Sequence, residues 1–198
     1  MKSGLILLSL IFSLSSYAQD SSKGFFIHAL ATYDFPESYG GAVGICLPIR
    51  NNNHFITNTN GNFRVKQFFY SLELNAFHYP YNSSNFSISL GTGIRKIHNL
   101  HYYQETYVFL GMLRTIYDGK VYKVNDYGMV EEKPGFGRNY ALGGIAHSFN
   151  WVVAPLIPQL SLQVKPSLWF QFPYNSFMKT HVSIQAGFQY AFYKNHVL

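Results

Sequence analysis

The most regular stretch of the chain is THVSIQAGFQYAF, residues 180–192, in which apolar and polar side chains alternate one by one. Val182, Ile184, Ala186, Phe188, Tyr190 and Phe192 take one parity; His181, Ser183, Gln185, Gly187 and Gln189 take the other. A period of two marks a strand whose two faces meet different surroundings. Three further segments share it. In 66–77, Phe68, Tyr70, Leu72, Leu74 and Ala76 oppose Gln67, Ser71, Glu73 and Asn75. In 85–95, Phe86, Ile88, Leu90 and Ile94 oppose Ser87, Ser89, Gly91, Gly93 and Arg95. In 160–172, Leu160, Leu162, Val164, Leu168, Phe170 and Phe172 oppose Ser161, Gln163, Lys165, Ser167 and Gln171. Weaker alternation, with both faces mixed, runs through 24–34, 40–49, 103–115 and 138–149. The pattern predicts eight strands and no comparable helix after residue 18.

Alternation alone does not say which face is wet, since a soluble sandwich alternates with its apolar side inward. Three features favour the reverse. The polar parity uses Ser, Gln, Asn and Gly, which suit a crowded hydrogen-bonded interior better than a solvated surface. The strands are long: a soluble strand averages about 5–6 residues, whereas a tilted membrane strand needs about 9–11. Aromatic residues gather at predicted strand ends, including Tyr33, Phe35, Tyr39, Tyr79, Tyr81, Tyr102, Tyr103, Phe172, Tyr174, Phe192 and Tyr193. Such clusters form girdles at the two membrane interfaces. An open sheet edge in hydrocarbon leaves backbone groups unsatisfied, so these strands must close on themselves. The predicted fold is all-β, an antiparallel up-and-down transmembrane β-barrel of eight strands. Asn60-Gly61, inside a long polar connection, could cap an extra hairpin and raise the count to ten.

Composition agrees. Charged residues make up 12% of the 198-residue chain, against about 25% in an ordinary soluble domain. Aromatics reach 18%. The pattern resembles the small eight-stranded outer-membrane barrels, such as the transmembrane domain of outer-membrane protein A. That resemblance covers the mature chain, including an aromatic final strand, and implies a bacterial outer-membrane location.

Residues 1–18 read as a signal peptide, with Lys2, an apolar run from Leu5 to Leu14, and Ser16-Tyr17-Ala18 before a cut near Gln19. The barrel domain is then 19–198. The single cysteine, Cys46, excludes an intrachain disulfide and is expected to be buried.

An eight-stranded barrel is just wide enough for side chains to fill. Glu73, Arg95 and Lys165 fall on the polar parity, with Gln163 and Gln185, and are expected to form a paired polar network that plugs the lumen. A narrow porin-like channel is the alternative. Glu105 and Arg114 are candidates to join the network, in a strand whose register the sequence leaves open. With the N-terminus in the periplasm, outward loops fall near 35–39, 78–84, 116–137 and 173–179. The longest carries Lys120, Lys123, Asp126 and Tyr127 and is the best place for contact with a ligand or partner. Its alternating Val and Tyr predict a hairpin that continues past the membrane. Basic residues there, with Lys133 and Lys179, suit the phosphates of lipopolysaccharide. The formal charge of +6 does not imply nucleic acid in an exported chain.

Of the eight histidines, His98 and His101 sit closest together, too few for a zinc site; no metal or other cofactor is expected. His147 and Ser148 are adjacent and must face opposite sides. His181-x-Ser183 shares a face and is similar to the motif of outer-membrane lipid A deacylases. In that family the pair lies on the outer wall with a downstream acid; here the register puts it in the lumen, and no Asp or Glu follows His181. Catalysis needs an oriented base, so the chain is read as a non-enzyme, with a deacylase-like lipid A hydrolase centred on His181 and Ser183 as the second alternative. An envelope-structural or binding role, in a monomer touching outer-membrane lipid, is expected, with a protein partner or a larger export assembly left open. Pro166, within a strand, predicts a bulge.

Overall fold

The computed structural model describes residues 24–35, 37–49, 54–57, 63–80, 82–99, 101–119, 121–124, 127–133, 137–154, 157–174 and 177–192. The expected signal peptide, the Asn60-Gly61 turn, Tyr81, Lys120, Asp126 and Tyr193 lie outside these. The described residues form eleven strands: β1 (Phe25–Asp34), β2 (Ser38–Pro48), β3 (His54–Thr57), β4 (Phe63–Tyr79), β5 (Ser83–Asn99), β6 (Tyr102–Tyr117), β7 (Val121–Val124), β8 (Val130–Lys133), β9 (Gly137–Ala154), β10 (Ile157–Tyr174) and β11 (Phe177–Phe192). Eight of them form a closed antiparallel meander in the order β1-β2-β4-β5-β6-β9-β10-β11, and β11 returns to pair with β1. Closure runs from Phe25 opposite Phe192 to Asp34 opposite Ser183. All eight predicted strands are found; seven run past their predicted bounds at one or both ends, whereas β1 begins one residue later than predicted, at Phe25.

Barrel strands range from 10 residues in β1 to 18 in β9 and β10, enough to cross a bilayer at a tilt. The wall is inside out relative to a soluble protein. Outward-facing Leu110, Leu90 and Val108 are 74%, 66% and 55% exposed, whereas inward-facing Arg95, Glu105 and Lys165 are 1%, 1% and 2% exposed. The apolar parity of every strong strand is the outer one. Thus Val182, Ile184 and Phe188 face out, and His181, Ser183, Gln185 and Gln189 face in.

Four expectations need correction. The extra hairpin exists, but β3 pairs only with the start of β4, as an extension beyond β2, so the barrel stays at eight strands. Pro166 causes no bulge. The register from Val164–Phe149 to Ser167–Ala146 keeps step, and the ladder to β9 skips only Lys165 and Pro166. A proline lacking an N–H forfeits a bond without needing an added residue. In the pairing with β9 the register shift lies instead between Ile157 and Ser161. Tyr79 and Tyr103, expected in the girdles, turn inward and hydrogen-bond there.

The fourth correction concerns the lumen, which is not uniformly polar. Two apolar clusters occupy it: Phe26, Cys46, Phe69, Tyr107, Ala146 and Ala191 in one, and Phe77, Leu113, Tyr140, Leu142 and Trp169 in the other. The cause is space. β5 presents Ser83, Asn85, Ser87, Ser89, Gly91 and Gly93 inward, and a barrel this narrow must be filled from the facing strands. At Gly93 a Cβ would lie 2.3 Å from Tyr107 Cβ, and at Gly44 one would lie 2.4 Å from His28 Nε2. Those two glycines leave room for the close approach of the Tyr107 stem and of the His28 imidazole. Cys46 is buried in the first cluster.

The predicted hairpin in the long connection is β7–β8, registered from Val121 opposite Lys133 to Val124 opposite Val130. It stands apart from the barrel sheet.

Candidate functional site

The inner wall gathers the chain's buried charge into three groups. Near the rim without the long loop, the Arg95 guanidinium on β5 donates through Nε to Glu105 Oε1 on β6 at 2.8 Å. Its Nη2 makes a second bond to the same oxygen, and Nη1 donates to Gln67 Oε1 at 3.2 Å. The other carboxylate oxygen accepts from Ser148 Oγ at 3.0 Å, with Gln163 Nε2 at 3.5 Å. Arg95 lies flat on Phe26, 3.5 Å from the ring centroid, which adds cation–π attraction in a dry setting. Tyr103 closes this end by donating to Gln189 Oε1 at 2.7 Å and meeting Ser161 Oγ at 2.8 Å.

In the middle, Lys165 on β10 bonds to Glu73 Oε2 on β4, across the lumen. His28 Nε2 meets the same oxygen at 3.0 Å, and Asn75 Nδ2 donates to Oε1 at 3.0 Å. Gln185 donates to Thr32 Oγ1 at 3.1 Å and to Asn75 Oδ1 at 2.9 Å. Each carboxylate thus keeps a permanent cation and further donors, which a buried charge requires.

The third group sits at the mouth facing the long loop. His181 Nδ1 lies 2.8 Å from Asp34 Oδ2 and 3.1 Å from Tyr79 Oη, while Nε2 lies 3.2 Å from Gln171 Oε1. Tyr79 donates to the same Asp34 oxygen. The imidazole stacks on Trp169, with ring centroids 3.7 Å apart and planes 8° from parallel. The first apolar cluster separates the Arg95 group from the Lys165 group, and the second supports the His181 stack through Trp169.

A cavity of about 40 Å³ lies between the last two groups, lined by Asp34, Glu73, Lys165, Gln185, Trp169 and Phe77 among others. Asp34 Oδ1 and Gln185 Oε1 have no hydrogen-bond partner among the described residues. The space has room for two or three waters rather than a substrate, at ~15 Å³ for each, and carboxylate, amide and lysine groups share its wall with Phe77, Leu113, Leu142 and Trp169.

Glu73, Arg95, Lys165, Gln163 and Gln185 therefore all lie inside the barrel, in two networks rather than one. Glu105 joins them. Arg114 does not: it faces outward and donates to Asn139 Oδ1 at 3.1 Å, because its position on β6 has the opposite parity to Glu105. Lys123 belongs to β7, and Tyr127, at the hairpin's turn, is 88% exposed. Ser148 faces in while His147 faces out, 2.8 Å from Thr106 Oγ1. Among the described residues no group of three or more metal-ligating side chains converges.

Asp34 is the residue that sequence reasoning missed. It supplies the orienting acid for His181 from upstream, 147 positions away, through the seam between β1 and β11. Its parity in the FFIHALATYD strand, shared with His28 and Thr32, was the available signal. The pairing still does not assemble a hydrolytic triad. Nε2, the nitrogen that would deprotonate a serine, faces Gln171, and Ser183 Oγ is engaged with Ser167 Oγ at 2.6 Å.

No protein-family model matches the sequence, and no curated protein matches it. Solved structures do match. Neisserial surface protein A superposes with a TM-score of 0.50 at 11% identity, over 86% of this chain and 97% of that one. Ail, the attachment invasion locus protein of Yersinia pestis, gives 0.45 at 9% identity over 86% and 97%. The N-terminal β-barrel domain of Pseudomonas aeruginosa OprF gives 0.43 at 14% over 85% and 97%. What is shared at such identities is architecture: the chain has the eight-stranded antiparallel barrel fold of small outer-membrane proteins, as the superposition on Neisserial surface protein A and its own closed meander both show.

Proposed function

We propose that the protein is a non-enzymatic barrel of the bacterial outer membrane, exported by its signal peptide, with a filled interior and a structural or binding role carried by the loop rim. The observation that carries this reading is the inversion of the wall, with apolar side chains outside and every barrel-strand carboxylate inside or at the loop mouth. Among the described residues, two bridged ion pairs and two apolar clusters fill the narrow bore, which supports a plug over a pore. The barrel acts as a monomer. The β7–β8 hairpin offers Tyr122, Val124, Tyr127 and Met129 to a ligand or protein partner, and the neighbouring lysines suit lipopolysaccharide phosphates by charge attraction.

Conductance across a planar bilayer tests the plug directly. Inserted protein should give no stepwise current at neutral pH; regular single-protein steps would mean that the charged pairs line a pore. The enzymatic alternative is tested in cells. His181→Ala should leave the number of acyl chains on lipid A unchanged, whereas a change would make His181 a catalytic base and overturn the non-enzymatic reading.

A further inference from the structure

Away from the lumen and the loops, one part of the outer wall breaks the apolar pattern. Lys66 on β4 and Lys96 on β5 are direct cross-strand partners, and both take the outward parity. Gln104 is the next residue along the same hydrogen-bonded row, and Thr106 and His147 pair in the row beside it. His98, one outward position nearer the rim than Lys96, meets Gln104 Oε1 at 3.4 Å and stacks on Tyr102 at 5.5 Å. Among the described residues no carboxylate shares this stretch of wall: Glu73 and Glu105 point into the barrel, and the others lie at the opposite rim.

Like charges directly opposite on neighbouring strands repel, with side chains roughly 5 Å apart at Cβ. A sheet that places two lysines so, with no acid in reach, is relieved by an anion set between them. The surroundings specify the kind of anion. The patch faces outward, between the apolar band and a fringe of Tyr102, Phe149 and Trp151, the amphipathic rings that settle at headgroup depth. Lys side chains at that depth are drawn to anionic lipid. Thr106 and Gln104 add short polar groups beside them.

We infer that this patch, on the rim opposite the long loop, is a binding site for the phosphate headgroup of an acidic phospholipid, held between Lys66 and Lys96. It rests on the membrane-spanning reading above and deepens it by assigning a lipid class to one face.

The test uses the full chain refolded into phosphatidylcholine vesicles containing a minor fraction of phosphatidylglycerol. The lipid retained after detergent release is measured by native mass spectrometry. Retention of phosphatidylglycerol over its share of the mixture should be enriched roughly tenfold. Lys66→Gln with Lys96→Gln should abolish that enrichment. Arg114→Gln with Arg138→Gln, which removes two cations at the other rim, should leave it intact. Enrichment lost equally in both double variants, or kept in the lysine variant, overturns the site. Displacement of the lipid by millimolar inorganic phosphate overturns the lipid assignment in favour of a free-phosphate site. Insertion is scored on the same samples by the shift of the folded band on boiling. A protein that never inserts sinks the spanning reading itself, whereas one that inserts without lipid preference sinks only this site.

Discussion

Replacing Glu105 with alanine should lower the unfolding free energy of the barrel by about 3–5 kcal/mol, the usual consequence of stranding a buried charge. Arg95 is 1% exposed and its guanidinium rests against Phe26, so water cannot take over the lost partner. Gln67 Oε1, at 3.2 Å, offers a neutral acceptor in place of a carboxylate. Ser148 and Gln163 lose their acceptor as well, and each orphaned donor adds to the cost. Adding Arg95→Met to Glu105→Ala should restore a large part of the loss, since an apolar side chain suits the neighbouring Phe26 and Phe69. Urea unfolding in lipid vesicles measures both. The experiment also separates a plug from a pore. In a water-filled lumen the pair would be screened, and breaking it would cost under about 1 kcal/mol. A single variant within that margin would therefore reopen the channel reading.

Leu110→Lys carries the second large effect, and it probes the other side of the wall. Leu110 sits midway along β6 on the outer face, opposite Leu90 and flanked by Val108 and Met112. If hydrocarbon covers this face, a lysine at mid-depth should cost about 2–4 kcal/mol. On a water-facing surface the same change would fall within about 0.5 kcal/mol of neutral. Val124→Lys, in the exposed hairpin outside the barrel, is the matched control and should be near neutral in either case. Equal stabilities for the two variants in vesicles would mean that the exposed Leu and Ile side chains face something other than lipid.

The strong strands could be read from the sequence because their two faces differ in kind. β11 is apolar on one parity and polar on the other along most of its length, so strand, register and facing follow from a local period. β1, β2 and β9 were harder, because their inner faces mix residue types. Leu30 lies between His28 and Thr32, and Tyr140 and Leu142 share a face with Ser148 and Asn150. Such residues read as breaks in a polar face until the facing strand is known. They fill the volume that the serines and glycines of β5 leave open.

The candidate site divides along the same line. Parity alone placed Glu73, Arg95, Lys165, Gln163 and Gln185 on the inner wall, since that depends only on neighbouring residues. Which charges meet depends on separations of 92 positions for Glu73 and Lys165 and 147 for Asp34 and His181. No periodicity carries that information. By itself the sequence determined the strongly alternating strands and the face each turns outward, because a side-chain period of two is a property of the extended backbone. Only the closed barrel decided the pairings: the β1–β11 seam brings Asp34 to His181, and the narrow bore brings Glu73 to Lys165. Both follow from shear and closure, which are properties of the whole sheet.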